Sequence, residues 1–196
     1  MHPLLRKLPL PDADVWYAPN FFSAAESDLY FTQLQQQVTW KQEKIRMFGK
    51  EMPLPRLTAW YGDKAYTYSG LKNEPQPWLP VLQQLKTQVE QATNYSYNSV
   101  LLNLYPHGQS SMGWHSDDEP ELGPEPTIAS VSFGAERRFG FKHRHNKAQQ
   151  NLYFTLVHGS LLLMQGPTQR NWLHSITKTT RATGHRINLT FRNILS

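Results

Sequence analysis

The sequence predicts a mainly β chain with flanking helices, and three observations carry that prediction. Seven short apolar-rich segments follow one another from Tyr97 onward: "NSVLLNLY", "TIASVSFG", "RRFGFKH", "NLYFTLV", "GSLLLMQ", "LHSITK" and "HRINLTFR". Glycine, proline and asparagine separate them, which is the punctuation of a sandwich, barrel or jelly roll. Before them, two stretches keep the three- and four-residue apolar spacing of helices. Between those two lies a Gly-, Pro-, aromatic- and Lys/Arg-rich stretch that suits hairpins.

Taken in order, the N-terminal "MHPLLRKLPLPDADVWY" is broken by prolines and charges and has no apolar leader core. The expectation is a cytoplasmic protein, or a nuclear one in a eukaryote, that makes no use of a membrane. The first helix starts after "PNFF", where Ser23 and Glu26 have the spacing of a capping box. Leu29, Phe31 and Leu34 supply its apolar positions, and it runs to about Gln37. A second helix is expected from about Pro77 to Ala92, with Pro80 in its first turn and Trp78, Leu82, Leu85, Val89 and Ala92 on one face. The intervening "KQEKIRMFGKEMPLPRLTAWYGDKAYTYSG" reads as short strands. No linker separates the parts, so a single domain over 1–196 is expected, with about 20–96 covering a β core of about 97–196.

The 196 residues carry a net charge of +5, which leans toward a polyanionic partner. A hydrophobic share of 39% argues for a packed globule against disorder. Cysteine is absent, so disulfides and thiolate metal sites are excluded. Any metal must be held by histidine and carboxylate.

Those residue types meet in "GWHSDDEPEL", where four carboxylates crowd behind a Trp-His pair in a basic chain. His115 and Asp117 are two apart in a strand-like or strand-exit setting, which puts both side chains on one face. With a second histidine from elsewhere they would complete a two-His, one-carboxylate set suited to non-haem Fe(II). His-x-Asp by itself is a weak signal. The last strand adds to it. In "HRINLTFR", Ile187, Leu189 and Phe191 point one way and Arg186, Asn188, Thr190 and Arg192 the other. Two arginines on one face need an anion if that face is buried, and need none if it is an exposed edge. They start about 20 Å apart along an ideal strand, so both reach one short dicarboxylate only by leaning inward. In "VLLNLY", Asn103 and Tyr105 share a face with Leu101, as hydrogen-bond donors to a carboxylate or as an ordinary half-polar strand.

Together, "NLY", "HSDDE", "ASVSFG", "HGSLLLM", "HSI" and "RINLTFR" resemble the AlkB family of Fe(II)/2-oxoglutarate dioxygenases in order and spacing, over nearly all of Phe48–Leu195. The segments "MFGKEMPLPR", "YGDKAYTYSG" and "HSDDEPEL" place the resemblance nearest to the branch acting on double-stranded DNA. The resemblance implies a double-stranded β-helix (jelly-roll) core with an N-terminal nucleotide-recognition lid. It implies Fe(II) held by His115, Asp117 and His174, with 2-oxoglutarate held by Asn103, Tyr105, Arg186, Asn188, Thr190 and Arg192, and O2 as the oxidant. His107, His143, His145 and His158 match no ligand position.

By the same resemblance, the protein is an oxidative demethylase of 1-methyladenine and 3-methylcytosine that releases formaldehyde. A methylated Watson–Crick nitrogen is out of reach inside a duplex, so the base must be flipped out. Tyr66, Tyr68 and Ser69 would form the base pocket, opposite His115, and Arg56 would lie near the lesion. Met47, Phe48 and Gly49 match an intercalating finger that fills the gap. Asp118 would face a base made cationic by methylation. Lys41, Lys44, Arg46 and Lys50 around the finger, and Arg137, Arg138, Lys142, Arg144 and Lys147 in the core, would meet phosphates. The expected partner is alkylated duplex DNA, with single-stranded DNA or RNA and a non-catalytic binding relative as the alternatives. A monomer is expected.

Overall fold

The computed structural model describes residues 2–47, 50–64, 66–68, 71–181 and 184–195, with the side chains of 45–47, 50–51, 66–68 and 71–73 outside that description. Phe48, Gly49 and Ser69 therefore lie outside the described residues, as do the side chains of Met47, Tyr66 and Tyr68.

Along the chain the strands are β1 (Arg6–Lys7), β2 (Asp14–Ala18), β3 (Lys44–Met47), β4 (Lys50–Pro53), β5 (Leu57–Gly62), β6 (Tyr66–Tyr68) and β7 (Leu71–Asn73). They continue as β8 (Ser99–Tyr105), β9 (Met112–His115), β10 (Ile128–Gly134), β11 (Arg137–His143), β12 (Leu152–Leu156), β13 (Ser160–Gln165), β14 (Trp172–Ile176) and β15 (Arg186–Arg192). The helices are α1 (Ala24–Gln37), α2 (Pro80–Thr93) and the single turn α3 (Thr168–Asn171). A seven-stranded sheet runs in the order β1-β2-β13-β10-β15-β8-β5, and a four-stranded sheet in the order β12-β11-β14-β9. The ladders β3–β4 and β6–β7 form separate two-stranded sheets. This mainly β architecture with few helices agrees with the jelly-roll expectation, and all seven segments picked out after Tyr97 form strands.

One face of the large sheet is apolar and buried under both long helices. Val100, Leu102, Leu104, Ile187, Leu189 and Phe191 join Leu34, Leu82, Leu85 and Val89 in one cluster. At roughly 1.5–3 kcal/mol per fully buried large apolar side chain, this layer holds the sheet rigid from behind. The other face looks toward the small sheet across a second cluster that includes Leu101, Phe139, Phe141, Met164 and Trp172. Strict alternation on β8 and β15 thus sends apolar side chains to the helices and polar ones between the sheets.

The α1 capping box is present: Ser23 N–H donates to Glu26 Oε2 at 2.9 Å, and Ser23 Oγ accepts from Glu26 N–H at 3.3 Å. Its buried stripe is corrected, however, to Ser27, Tyr30 and Leu34. Leu29 is 56% exposed, one position off that stripe. The second helix starts at Pro80 rather than Pro77. Pro80 occupies the first helical position, where a missing N–H costs nothing, and left-handed Asn94 ends the helix. The proline-broken N-terminus also contributes a strand: β2 pairs antiparallel with β13, Leu163 opposite Trp16. At the β10–β11 turn Gly134 has φ +83°, and a Cβ there would collide with the His185 carbonyl oxygen and the Phe31 ring.

Candidate metal centre and cosubstrate face

Antiparallel pairing of β14 with β9 sets His174 directly opposite His115. Their rings lie 4.2 Å apart, centroid to centroid. Asp117 follows β9 by two residues, and its Oδ1 is 3.7 Å from His115 Nε2. One ligand atom from each of the three residues lies within 4.8 Å of the others, the only such His/Asp/Glu cluster among the described residues. His107, His143, His145 and His158 take no part. His143 instead accepts the backbone N–H groups of His145 and Asn146 in its own turn, and His158 Nδ1 accepts that of Gly134.

Each member of the cluster is oriented by something behind it. His115 Nδ1 is 2.9 Å from the Gly113 carbonyl, so it carries the proton and Nε2 is left with a lone pair. The Asp117 N–H donates to Gln169 Oε1 at 3.0 Å, and Asp117 Oδ2 accepts from Arg192 Nη2 at 2.7 Å. Burial pushes the Asp117 carboxyl up. The Arg192 guanidinium beside it, which also donates a hydrogen bond to it, outweighs that and holds it well below the usual carboxylate range. Burial lowers His174 to about 3, with His115 and Arg192 adding to the effect and Asp117 opposing it. The ring is therefore neutral at physiological pH, the form that binds a metal. A deprotonated carboxylate, a neutral His174 and a His115 with its lone pair on Nε2 fit a divalent cation, and an oxygen- and nitrogen-donor set suits Fe(II).

Sequence alternation placed Arg186, Asn188, Thr190 and Arg192 on one face, and the structure buries that face between the sheets. Arg186 is 1% exposed. Its Nη2 donates to Ser132 Oγ at 2.9 Å and Asn188 Oδ1 at 2.8 Å. Asn188 Nδ2 passes the chain on to Thr190 Oγ1 at 2.8 Å. No carboxylate pairs with Arg186 among the described residues, and its Nη1 is buried without a hydrogen-bond partner. Burial lowers its pKa to about 10, which leaves it charged at neutral pH. A second buried guanidinium, Arg137, donates through Nη2 to the carbonyls of Gly108, Ser110 and Thr177, while its Nε is buried without a partner. The Tyr105 ring lies 5.2 Å from Arg186 and 6.0 Å from Arg137. Buried positive charge of this kind is costly unless an anion compensates it. The donor set fits a carboxylate.

Asn103, Tyr105, Asn188, Thr190 and Arg192 line one cavity together with His115, Asp117 and His174. Arg186 adjoins it through Asn188, to which it donates. Arg56 also lines the cavity, and its Nε donates to Asn103 Oδ1 at 2.7 Å. Asp118 lies beyond the end of β9, exposed, and pairs with Arg144 at 2.7 Å. Gln169 escaped sequence reasoning altogether. It acts through a backbone N–H 52 residues away and follows no pattern along the chain.

The family described as the 2OG-Fe(II) oxygenase superfamily matches residues 14–192. The chain belongs to that superfamily. The superfamily's description names 2-oxoglutarate and Fe(II), and the His-Asp-His cluster of this chain is able to hold such a metal. It is 44% identical over 188 residues to the alpha-ketoglutarate-dependent dioxygenase alkB homolog 3 of Bos taurus, covering 92% of this chain and 66% of that protein. It is 43% identical over 185 residues to the DNA oxidative demethylase ALKBH2 of Mus musculus, covering 89% of this chain and 77% of that one. The oxygenase thus spans just under two thirds of the length of the alkB homolog 3 relatives. Its fold is also that of a solved structure titled OsALKBH1, with a TM-score of 0.66 at 16% identity, covering 96% of this chain and 99% of that one. No helix among the described residues is long and apolar enough to cross a membrane.

Proposed function

We propose that this oxygenase is an oxidative demethylase of alkylated nucleic-acid bases, with 1-methyladenine and 3-methylcytosine in DNA as its substrates. The observation that carries the reading is that two features adjoin. A His115-Asp117-His174 cluster stands beside a buried strand face on which Arg186 has no carboxylate partner among the described residues, in a chain 43% identical to a protein named as a DNA oxidative demethylase. Bound Fe(II), with 2-oxoglutarate and O2, supplies the oxidation of a C–H bond, and 2-oxoglutarate becomes succinate and CO2.

The chain's own residues hold and orient. His115, Asp117 and His174 hold the metal, and Asp117 offsets part of its charge. Arg186 takes one carboxylate of 2-oxoglutarate, with Asn188 and Thr190 locking its rotamer. Arg192 takes the other end while keeping Asp117 ionised, and Asn103 and Tyr105 complete the cradle. Leu101, Met112, Phe139, Met164 and Ile176 line the rest of the cavity and exclude water. Hydroxylation of an N-methyl group gives a hydroxymethyl that leaves as formaldehyde and restores the base.

The substrate side follows the sequence motif. Tyr66, Tyr68 and Ser69 receive the flipped base, Arg56 lies near it, and Asp118 meets its positive charge once Arg144 is drawn to a phosphate. Phe48, between Met47 and Gly49, fills the gap in a duplex. Single-stranded DNA or RNA as substrate is the second reading, favoured by an exposed aromatic pair, Trp114 and Tyr153, on the outer face of the small sheet. Turnover on methylated single-stranded and duplex oligonucleotides, with wild type and Phe48→Ala, tests both. Selective loss of duplex turnover supports the finger; equal loss on both strand types refutes it.

A further inference from the structure

We propose that the outer face of the four-stranded sheet is a stacking surface for an unpaired nucleic-acid strand, with Trp114, Tyr153 and Arg138 as its binding residues. The proposal rests on the reading that the substrate is a nucleic acid, and it says where the strand beyond the target base lies. Along β11, Phe139 and Phe141 point into the cavity-side core, while Arg138 and Lys142 point out and are exposed. On β12, Tyr153 and Thr155 are likewise exposed. Trp114 and Tyr153 each keep 38% of their surface in solvent, and their rings meet edge to face at 6.3 Å.

Gly140 explains how two large rings lie against the sheet there. It sits opposite Tyr153 in the ladder. A Cβ on it would come within 2.6 Å of Tyr153 Cε1 and 2.9 Å of Trp114 Cη2. The rings thus converge over bare backbone, a site left small enough to seat both. The Arg138 guanidinium is 4.0 Å from the Tyr153 ring, held flat by a cation–π contact. The Trp114 ring and the Arg138 guanidinium lying over Tyr153 offer planar groups side by side, and bases stack on aromatic rings and on guanidinium planes alike.

Charge complementarity names the partner. An open groove of about 850 Å³ runs beside Tyr153 and Arg138, and it carries Lys178 and Arg181 against the single acid Glu136. A strand whose bases stack on Trp114 and Tyr153 would lay its phosphates along those cations. The surface is also joined to the chemistry, because Trp114 immediately precedes His115 on β9. An isolated exposed aromatic would need no explanation. Two that touch, braced by a glycine and capped by an arginine beside a cationic groove, form a contiguous patch of one chemistry.

Fluorescence anisotropy with a labelled, unmodified single-stranded homopyrimidine oligonucleotide at low salt tests this. Tyr153→Ala and Arg138→Ala should each weaken binding about tenfold, the scale of one lost stacking contact. Tyr153→Phe, which keeps the ring, should bind as wild type. All three should keep the thermal shift given by Mn(II) with 2-oxoglutarate, which reports an intact fold and cavity. Alanine variants that bind the strand as tightly as wild type overturn the proposal. So do variants that change only the sedimentation behaviour, which would make the face a self-association surface. A wild-type protein that binds no oligonucleotide fails the nucleic-acid reading as well, and that arm separates the two failures.

Discussion

Arg192 and Asp117, 75 residues apart in sequence, meet in a buried ion pair of 2.7 Å. One end of the candidate cosubstrate face is thereby tied to one candidate metal ligand. The pair aims a carboxylate oxygen and keeps it charged, so the candidate metal and cosubstrate sites share a single guanidinium.

Breaking that pair should be costly. Arg192→Met leaves the Asp117 carboxylate buried without its main counter-charge, and metal-free protein should lose about 3–5 kcal/mol in urea unfolding. Asp117→Asn combined with Arg192→Met should lose less than the two single effects added together. Additive losses would show that the pair is not coupled.

Arg186 should behave in the opposite way. It is buried with no carboxylate partner among the described residues, so Arg186→Met should be neutral or stabilising in the ligand-free protein. The same substitution should abolish the response to 2-oxoglutarate. Wild type at about 100 times Kd should gain about 2.7 kcal/mol, or roughly 5–10 °C in Tm for a domain of this size. A variant that keeps this shift would remove Arg186 from the cosubstrate site.

The third expectation concerns Gln169, which holds the Asp117 backbone. Gln169→Leu should weaken Mn(II) affinity roughly 10–100-fold, the range for lost outer partners of metal ligands. Gln169→Glu keeps an oxygen acceptor and should recover most of it. Equal Mn(II) affinity in all three proteins, by titration calorimetry, would leave Gln169 a packing residue only.

Much of this site was legible before the fold was known. Alternation along β15 and β8 sorted Arg186, Asn188, Thr190, Arg192, Asn103 and Tyr105 onto one face, because side-chain direction in a strand depends only on position parity. Burial of that face was not legible, since an exposed edge strand carries the same pattern. Nor was the Arg192–Asp117 pair, which depends on how two sheets close. Leu29 was misplaced because a helix with few apolar residues admits two neighbouring stripes, and packing against β10 chose Tyr30 and Leu34. The strand at Asp14–Ala18 was hidden by flanking prolines, and its pairing with β13 on one side and β1 on the other defines it.

That correction gives its own test. Leu82, fully buried on the inner face of α2, should cost about 2–5 kcal/mol when changed to Ala. Leu29→Ala on the exposed side of α1 should stay within about 0.5 kcal/mol of wild type. Comparable losses at the two positions in urea unfolding would contradict the exposure of Leu29 on α1.

The central claim is tested most directly by measuring succinate and formaldehyde together. The assay uses an oligonucleotide carrying 1-methyladenine, with Fe(II), 2-oxoglutarate and O2. The account predicts that wild type releases the two products in equal amounts and restores adenine, and that His174→Ala releases neither. Succinate without formaldehyde, or formaldehyde no higher than in the His174→Ala control, would contradict it.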